Sequence, residues 1–251
     1  MNNKLKKFVT VILVIAFWLA VWEIAAIIID VDHVLPRVES TFLAFVSAFN
    51  DNDFFLKVAL SLARVLIGFI LGALLSMTFA VIATKLSFIK ALVSPIMTVI
   101  KSAPVAAIVM ILWVMIGGKN VPIAISMLMV IPIVWQNIID GYDAIDPKLA
   151  EVCEIYNFSY YKRLRHLILP TLARFLFPGL ITASGLAFKA GIAAEIICWT
   201  TNSIGKEIGI AKANVEGPEM FAWVILVVLL SYLLESIIKK TIREIGRKCH
   251  L

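Results

Sequence analysis

Three aspartates spaced three residues apart, Asp140, Asp143 and Asp146, form the acidic cluster most suggestive of chemistry. Carboxylates are ligands that magnesium prefers, so the spacing resembles a magnesium–diphosphate site such as a membrane prenyltransferase would need. The chain has no second acidic motif to complete that site. Asp146 also precedes Pro147, a pair typical of a helix start, because Asp caps and Pro suits the first helical position. We expect no catalytic residue here.

Histidines and cysteines offer no better chemistry. They are scattered along the chain as His33, His166 and His250, and as Cys153, Cys198 and Cys249. A zinc site needs ligands at close spacing, and the sequence contains no CxxC pair. We therefore expect free thiols, no metal site, no acid–base pair and no cofactor.

Four ionisable residues lie inside long apolar segments: Arg64, Lys101, Lys189 and Glu195. Charges at membrane depth are costly and usually face a bundle interior or a wet path, so all four are candidates to line a pore. On that interpretation Lys101 and Lys189 attract an anion. The alternative is that Arg64 and Glu195 pair with other buried groups and that Lys101 snorkels beside a helix broken by proline.

The composition places these residues in an integral membrane protein. Of 251 residues, 61% are hydrophobic and only 16% are charged, too few for the exterior of a soluble domain of this length. The net charge of +6 comes from basic residues at the ends of apolar runs. That placement indicates membrane topology and not nucleic-acid binding.

Six apolar runs are each close to the roughly 20 residues that a spanning helix needs. Because the bilayer cannot satisfy backbone polar groups, the runs predict an all-α membrane protein with six transmembrane helices in a single transmembrane domain, residues 1–251. The predicted spans cover about 8–29, 58–84, 91–116, 123–139, 175–198 and 220–238.

The basic residues predict the orientation of these spans. If the N-terminus is cytoplasmic, the inside segments hold fifteen Lys and Arg and the outside segments hold five. An excess of this kind marks the cytoplasmic side. We therefore expect both termini in the cytoplasm, with the segment between spans 4 and 5 as the largest cytoplasmic feature.

That segment, 146–170, predicts two short helices. Apolar residues at i, i+3, i+4 and i+7 form a stripe on the first: Leu149, Val152, Cys153 and Tyr156. Asn157 suits the left-handed turn that ends it, and Ser159 suits the cap of the second. Pro170 predicts that Leu169 leaves the helical region and that the unit ends before the fifth span.

Two interpretations of the segment are open. Its basic residues could lie on anionic headgroups as an interfacial helix. Alternatively, the apolar stripe is a docking surface for a cytoplasmic partner. The carboxylates Glu151 and Glu154, which flank the stripe, favour docking because they do not suit an anionic membrane.

The pattern from Glu151 to Pro170 resembles the EAA loop of ABC-transporter permeases. The residues that carry the resemblance are Glu151, Val152, Cys153, Asn157, Leu167, Leu169 and Pro170. The sequence departs from the motif at Val152 and Cys153, where the family usually has Ala, and at Asn157, where Gly is usual.

Further stretches are similar to the nitrate, sulfonate, taurine and bicarbonate branch of binding-protein-dependent permeases. They are VLPR at 34–37, SLARVLIGFILG at 61–72, the run at 94–118, DPKLAE at 146–151 and AFKAGIAAEII at 187–197. Departures occur at Lys189, usually aromatic, and at Gly117–Gly118, often Phe-Gly.

The resemblance implies a permease subunit of an ATP-driven importer in a prokaryotic cell membrane. It implies two cytoplasmic ATP-binding subunits, a second permease copy and an extracytoplasmic solute-binding protein as partners. The residues it places at the ATPase interface are Leu149, Glu151, Val152, Cys153, Tyr156, Asn157, Leu167, Leu169 and Pro170. The chain has no GxxxxGK[ST] phosphate loop, so we expect it not to be an enzyme and ATP hydrolysis to occur in a partner.

Other functions compete with this one. An ATP-independent channel or carrier would leave the inserted segment without a purpose. A membrane-embedded lipid enzyme would need convergent catalytic residues beyond the three aspartates. The solute is open among nitrate, a sulfonate, a bicarbonate-like ion and a vitamin precursor, and Lys101 and Lys189 favour an anion.

Overall fold

The computed structural model describes the backbone of residues 3–248, and the side chains of residues 6–247. It is helical throughout, with no strand in this range, as predicted for an all-α membrane protein. Five helices are long and apolar enough to cross a membrane, and a sixth crossing is possible if one bent pair of helices counts as a span. The helices in chain order are α1 Asn3–Ile29, α2 Val38–Ala48, α3 Phe54–Lys85, α4 Ser87–Ser102, α5 Val105–Ile116, α6 Val121–Asp143, α7 Pro147–Ile155, α8 Tyr160–Arg163, α9 Leu169–Cys198, α10 Ile204–Ala213 and α11 Gly217–Lys248.

The core is built where α6 packs between α3 and α9. Gly68 and Gly72 of α3 allow the close approach, because a Cβ at Gly68 would lie 2.4 Å from the carbonyl oxygen of Ile123 on α6. Ser126 of α6 donates a hydrogen bond of 3.1 Å to the carbonyl of Ala187 on α9. Small residues and interhelical hydrogen bonds are how helices associate in lipid, where apolar surface gains little from burial.

Helix α1 stands largely apart from this core and is attached at its C-terminal end. The Trp22 indole donates to the carbonyl of Pro36 at 3.0 Å. Glu23 accepts the backbone N–H of Val38 at 2.9 Å and so caps α2. Helix α2, which lies between the first and second predicted spans, packs against α11.

The predicted third span is two helices, not one. Helix α4 ends at Ser102, α5 begins at Val105, and their axes differ by 104°. Ala103 has ψ 137°, which is extended backbone. The residue before a proline is forced out of the helical region, so Pro104 explains where the chain bends.

The prediction that Pro170 ends the inserted unit is wrong. Leu169 is helical, with φ −60° and ψ −45°, and the chain is helical from Tyr160 to Cys198. A π-helical turn over Leu164–Ile168 precedes the proline, and the Leu169 N–H bonds to the carbonyl of Leu164, five residues back. In a regular α-helix the proline ring would clash with the carbonyl four residues earlier, and the wider π turn relieves that clash.

The connection between the fifth and sixth predicted spans contains helix α10. Ile204, Ile208 and Ala211 are buried at i, i+4 and i+7, so the helix packs one face against the bundle. That spacing was present in the sequence as a helical signal, within a polar stretch that hid it.

Candidate functional site

The inserted segment begins as the sequence predicts. The Asp146 carboxylate accepts the backbone N–H of Lys148 at 2.9 Å, and Pro147 occupies the first turn of α7. The cap satisfies one of the orphan N–H groups at the start of the helix. This assigns Asp146 a capping role in place of metal binding.

The turn at Asn157 also follows the prediction. Asn157 has φ +49°, in the left-handed region. Its N–H bonds to the carbonyl of Glu154 at 3.0 Å, and the N–H of Phe158 bonds to that of Cys153 at 2.8 Å. These two bonds form a Schellman motif, in which Asn is one of the few residues besides Gly that tolerate the conformation.

The second half is anchored from both ends. Ser159 Oγ accepts the N–H of Lys162 at 3.5 Å, as a cap for α8. The Lys85 ammonium at the end of α3 lies 5.6 Å from the ring centroid of Tyr160, within cation–π range. The loop is therefore held against the end of the bundle.

Two of the residues predicted to contact a partner face inward instead. Cys153 and Leu167 are buried within the chain, at 9% and 7% exposure. They do not form the outer surface of the loop. Leu149, Val152 and Tyr156, by contrast, are exposed, as are Glu151, Asn157 and Leu169, and Pro170 is half-buried.

Exposed apolar side chains dominate the outer face of the segment. Sequence reasoning identified three of them, and the structure adds others that continue into α8. We call this set the α7–α8 apolar surface: Leu149, Val152, Ile155, Tyr156, Phe158, Tyr160 and Tyr161. A group of exposed apolar side chains on one short segment indicates an interaction site.

Two carboxylates border the α7–α8 apolar surface and differ in their partners. Glu154 pairs with Arg163 at 3.5 Å within the chain. Glu151 is exposed and has no ion-pair partner among the side chains that the structure describes. Glu151 is therefore the carboxylate available to a second molecule.

Arg64 and Glu195, two of the candidate pore residues, bind each other. The guanidinium Nη1 lies 3.1 Å from Glu195 Oε1, and the Glu195 side chain is fully buried. Arg64 also donates to the carbonyls of Thr201 at 3.0 Å and Asn202 at 3.2 Å. The two residues join α3, α9 and the connection to α10, which matches the alternative of buried pairing.

This ion pair continues into a cap for α10. Ser61 donates to Glu195 Oε2 at 2.8 Å and accepts the N–H of Ile204 at 3.0 Å. Glu195 accepts the N–H of Gly205 at 3.3 Å, and Ser203 accepts that of Lys206 at 3.0 Å. Side chains thus satisfy the donors of the first turn, which cannot bond within the helix.

Sequence reasoning missed the part that Ser61 plays. Ser61 stands three residues before Arg64 and so shares its helix face, which was the available signal. The partner carboxylate is on α9, far along the chain, and only the tertiary structure brings it into contact.

A second ion cluster fastens α10 further along. The Lys57 ammonium lies between Asp51 and Glu207, 3.0 Å from the Glu207 carboxylate. The hydrogen bond from Lys57, assisted by the backbone N–H of Asp53, lowers the pKa of Asp51 below its usual range.

The surroundings of Lys101 and Lys189 differ from those of Arg64 and Glu195. Both side chains are exposed on the single chain, and neither has an ion-pair partner within the described part of the chain. Lys101 lies in the last turn of α4, just before the bend, and Lys189 lies on α9, which packs against α5, the helix just after the bend.

The other candidate ligands are dispersed over the part of the chain that the structure describes. Asp143 pairs with Lys90 at 2.9 Å, and Asp140 accepts a hydrogen bond from Gln136 at 2.7 Å. Cys153 and Cys198 are buried free thiols. Within residues 3–248 no group of three or more metal-ligating side chains is found, and His250 and Cys249 lie outside that range.

Comparison with known families identifies the chain. Residues 65–244 match the family of binding-protein-dependent transport system inner membrane components, which is more than half of the sequence. The chain belongs to this family. The matched range includes the core helices α6 and α9, the whole α7–α8 segment and Glu195, and it begins one residue after Arg64.

Curated relatives of this permease family are transport proteins for small anions. The chain is 23% identical over 230 residues to a putative aliphatic sulfonates transport permease of Bacillus subtilis, covering 90% of this chain and 83% of that protein. It is 25% identical to a nitrate import permease of Synechococcus elongatus, covering 78% and 74%. It is 29% identical to a bicarbonate transport system permease of the same species, covering 59% and 53%.

The fold of the permease is also found in a solved structure. A crystal structure of an amino acid ABC transporter with histidines covers 81% of this chain and 98% of its own, with a TM-score of 0.64 and 15% identity. The likeness assigns the fold of an ABC-transporter permease.

Proposed function

We propose that this permease subunit works in an ATP-driven importer for a small anion of the sulfonate, nitrate or bicarbonate kind. The observation that carries the proposal is the family match over residues 65–244. The relatives named above transport anions of this class. An ATP-independent channel or carrier would have no use for the exposed surface on the inserted segment.

Energy enters through the α7–α8 apolar surface. On this proposal each permease presents the surface to one of two cytoplasmic ATP-binding subunits, and Glu151 pairs with a basic residue there. The surface suits the role because Val152, Tyr156 and Ile155 are exposed, while Cys153 and Leu167 of the same segment are buried within the chain. The Schellman turn at Asn157 keeps the two short helices at a fixed angle to each other.

The pore forms between this chain and a second copy of it, with an extracytoplasmic binding protein that delivers the solute. Lys101 and Lys189 are the pore-lining candidates among the four charged residues, because they are exposed and unpaired in the described part of the chain. Arg64 and Glu195 instead hold α10 in place. An amine at membrane depth with no internal partner suits an anionic solute.

The orientation follows from the basic residues. Both termini and the α7–α8 segment face the cytoplasm of a prokaryotic cell, and α2 and α10 lie on the outer side. With this orientation the α7–α8 segment meets the ATP-binding subunit in the cytoplasm, where ATP is available.

The proposal is tested by the variant Glu151→Arg. We expect it to abolish co-purification of the ATP-binding subunit and the ATPase activity of the complex, because it places a like charge against a basic residue at the interface. The chain should keep its thermal stability, since Glu151 is exposed. The measurement is mild-detergent purification of tagged chain followed by an ATPase assay.

The matched control is Glu39→Arg. Glu39 is also an exposed glutamate near a helix start, on α2, and lies on the outer side in the proposed topology. It should retain the ATPase. A Glu151→Arg chain that still binds and stimulates its ATPase would overturn the placement of the coupling surface.

A further inference from the structure

A groove of about 440 Å³ lies between the first third of α9 and the last turns of α11. It lies apart from the α7–α8 apolar surface and from the Arg64–Glu195 contact. Its apolar wall comes from both helices: Phe177, Pro178 and Ile181 on α9, and Ile242 and Gly246 on α11.

Three cations line the open side of the groove. Lys239, Arg243 and Arg247 follow one another at four-residue spacing, so they form a row on one face of α11. All three are exposed. The row extends about 12 Å along the helix, from the 1.5 Å rise per residue.

No carboxylate neutralises this row within the described residues. None of the three cations belongs to an ion pair in that part of the chain. The nearest acidic residue on the same face, Glu235, lies one turn deeper and points at Gly185 of α9, where a Cβ would be 2.9 Å from its Oε1. Glu244 stands on α11 but does not line the groove. The groove is therefore positive along one edge and apolar along the other.

We propose that the groove binds the headgroup of an anionic phospholipid, with the phosphate on the cation row and an acyl chain against the apolar wall. The two kinds of surface correspond to the two parts of that molecule. Basic pockets between transmembrane helices at a membrane surface are suited to anionic headgroups. A lone snorkelling Lys or Arg contacts headgroups in passing, whereas a concave site between two helices retains one lipid.

The proposal does not depend on which way the chain crosses the membrane or on the transported solute. Either leaflet of a bilayer presents phosphate at the helix ends. The lipid-site proposal can therefore be disproved while the importer proposal stands, and the importer proposal can be disproved while the lipid site stands.

The test is native mass spectrometry of the full chain with its co-purifying partners, titrated with phosphatidylglycerol and, separately, phosphatidylcholine. We expect tighter binding of phosphatidylglycerol. The double variant Lys239→Gln/Arg243→Gln should weaken it about 25-fold, since each cation near the surface contributes about fivefold. Lys240→Gln removes a neighbouring exposed cation of α11 that does not line the groove, so it should leave lipid binding in the groove nearly unchanged.

Three results would overturn the proposal. One is an equal loss of affinity for phosphatidylglycerol in the double variant and in Lys240→Gln, which would show that the lipid responds only to the overall surface charge. Another is inorganic phosphate binding as tightly as the lipid, which would make the groove a free-anion site. The third is unchanged lipid binding with loss of a protein partner or of the oligomer. If the double variant does not fold, Arg243→Gln alone serves, with an expected loss of about fivefold.

Discussion

At the scale of single residues, the Arg64–Glu195 contact shows how a charge is tolerated inside this bundle. Both oxygens of Glu195 are used, one by Arg64 and the other by Ser61 and the N–H of Gly205. A buried ion is stable only when paired and fully hydrogen-bonded, and here the same bonds also cap α10. The contact therefore stabilises the connection between α9 and α10 and does not need to face a pore.

We predict that Glu195→Gln destabilises the chain by about 3 kcal/mol, because it leaves the Arg64 charge buried without a counter-ion. The measurement is thermal unfolding of the purified chain in detergent. The double variant Arg64→Met/Glu195→Gln should recover part of that loss, since it removes the unpaired charge. If both variants were equally unstable, the pairing would contribute nothing beyond packing.

The backbone conformation at Asn157 supports a second prediction at this scale. Asn157→Val should cost about 1 to 2 kcal/mol at the turn, because a β-branched residue fits the left-handed region poorly. Asn157→Gly should leave the turn intact, since Gly carries no such penalty. The measurement is hydrogen exchange at the Phe158 amide, which bonds to the Cys153 carbonyl. Exchange that is equally slow in both variants would contradict the prediction.

At the scale of helices, prolines and glycines decide where the helices bend and how closely they pack. Pro104 bends the α4–α5 pair by 104°, whereas Pro170 lies inside a continuous helix because a π turn precedes it. The two outcomes differ although both residues are prolines in apolar surroundings. Whether the preceding turn can widen depends on packing, so the sequence pattern did not distinguish them.

We predict that Gly68→Ala destabilises the packing of α3 on α6 by about 2 kcal/mol, because its Cβ would lie 2.4 Å from a backbone oxygen that cannot move aside. Gly209→Ala on α10 is the matched control. Its Cβ would be 3.7 Å from the nearest atoms, in ordinary contact, so the helical preference of Ala should make it neutral or stabilising. Thermal unfolding of the two variants compares them directly, and equal effects would argue against the close approach.

At the scale of the whole molecule, the surfaces that a single chain leaves uncovered correspond to the partners proposed for it. The side chains of the α7–α8 apolar surface are exposed, and so are Lys101 on α4 and Lys189 on α9. An isolated chain would leave these groups against lipid or water. In a complete importer, an ATP-binding subunit would cover the α7–α8 apolar surface, and a pore would enclose Lys101 and Lys189.

We predict that Lys189→Gln lowers uptake of the transported anion about tenfold, the effect of losing one charged hydrogen bond to the solute. Lys189→Arg should retain most of the uptake because it keeps the charge. The measurement is uptake of nitrate, bicarbonate and an alkanesulfonate by cells carrying the complete transporter. Lys119→Gln, which changes an exposed lysine in the α5–α6 connection, is the control and should have no effect. If Lys189→Gln lowered uptake no more than Lys119→Gln does, Lys189 would not line the pore.

The sequence by itself determined the features that depend on local chemistry. Hydrophobic run length predicted an all-helical membrane protein, and Asp146, Asn157 and Ser159 predicted the start, the turn and the second cap of the inserted segment, as observed. These predictions succeed because a cap or a left-handed turn depends on a few neighbouring residues. The resemblance to the permease family rested on the same local motifs.

The tertiary structure decided what depends on distant neighbours. It buried Cys153 and left the rest of its stripe exposed, a difference that helical spacing alone could not predict, and it buried Leu167 in the second half of the segment. It joined Arg64 to Glu195 across 131 positions of sequence, and it formed α10 from a polar stretch by capping it with Ser61 and Glu195. A side chain's partner is set by packing, and packing brings together residues whose sequence positions carry no record of their contact.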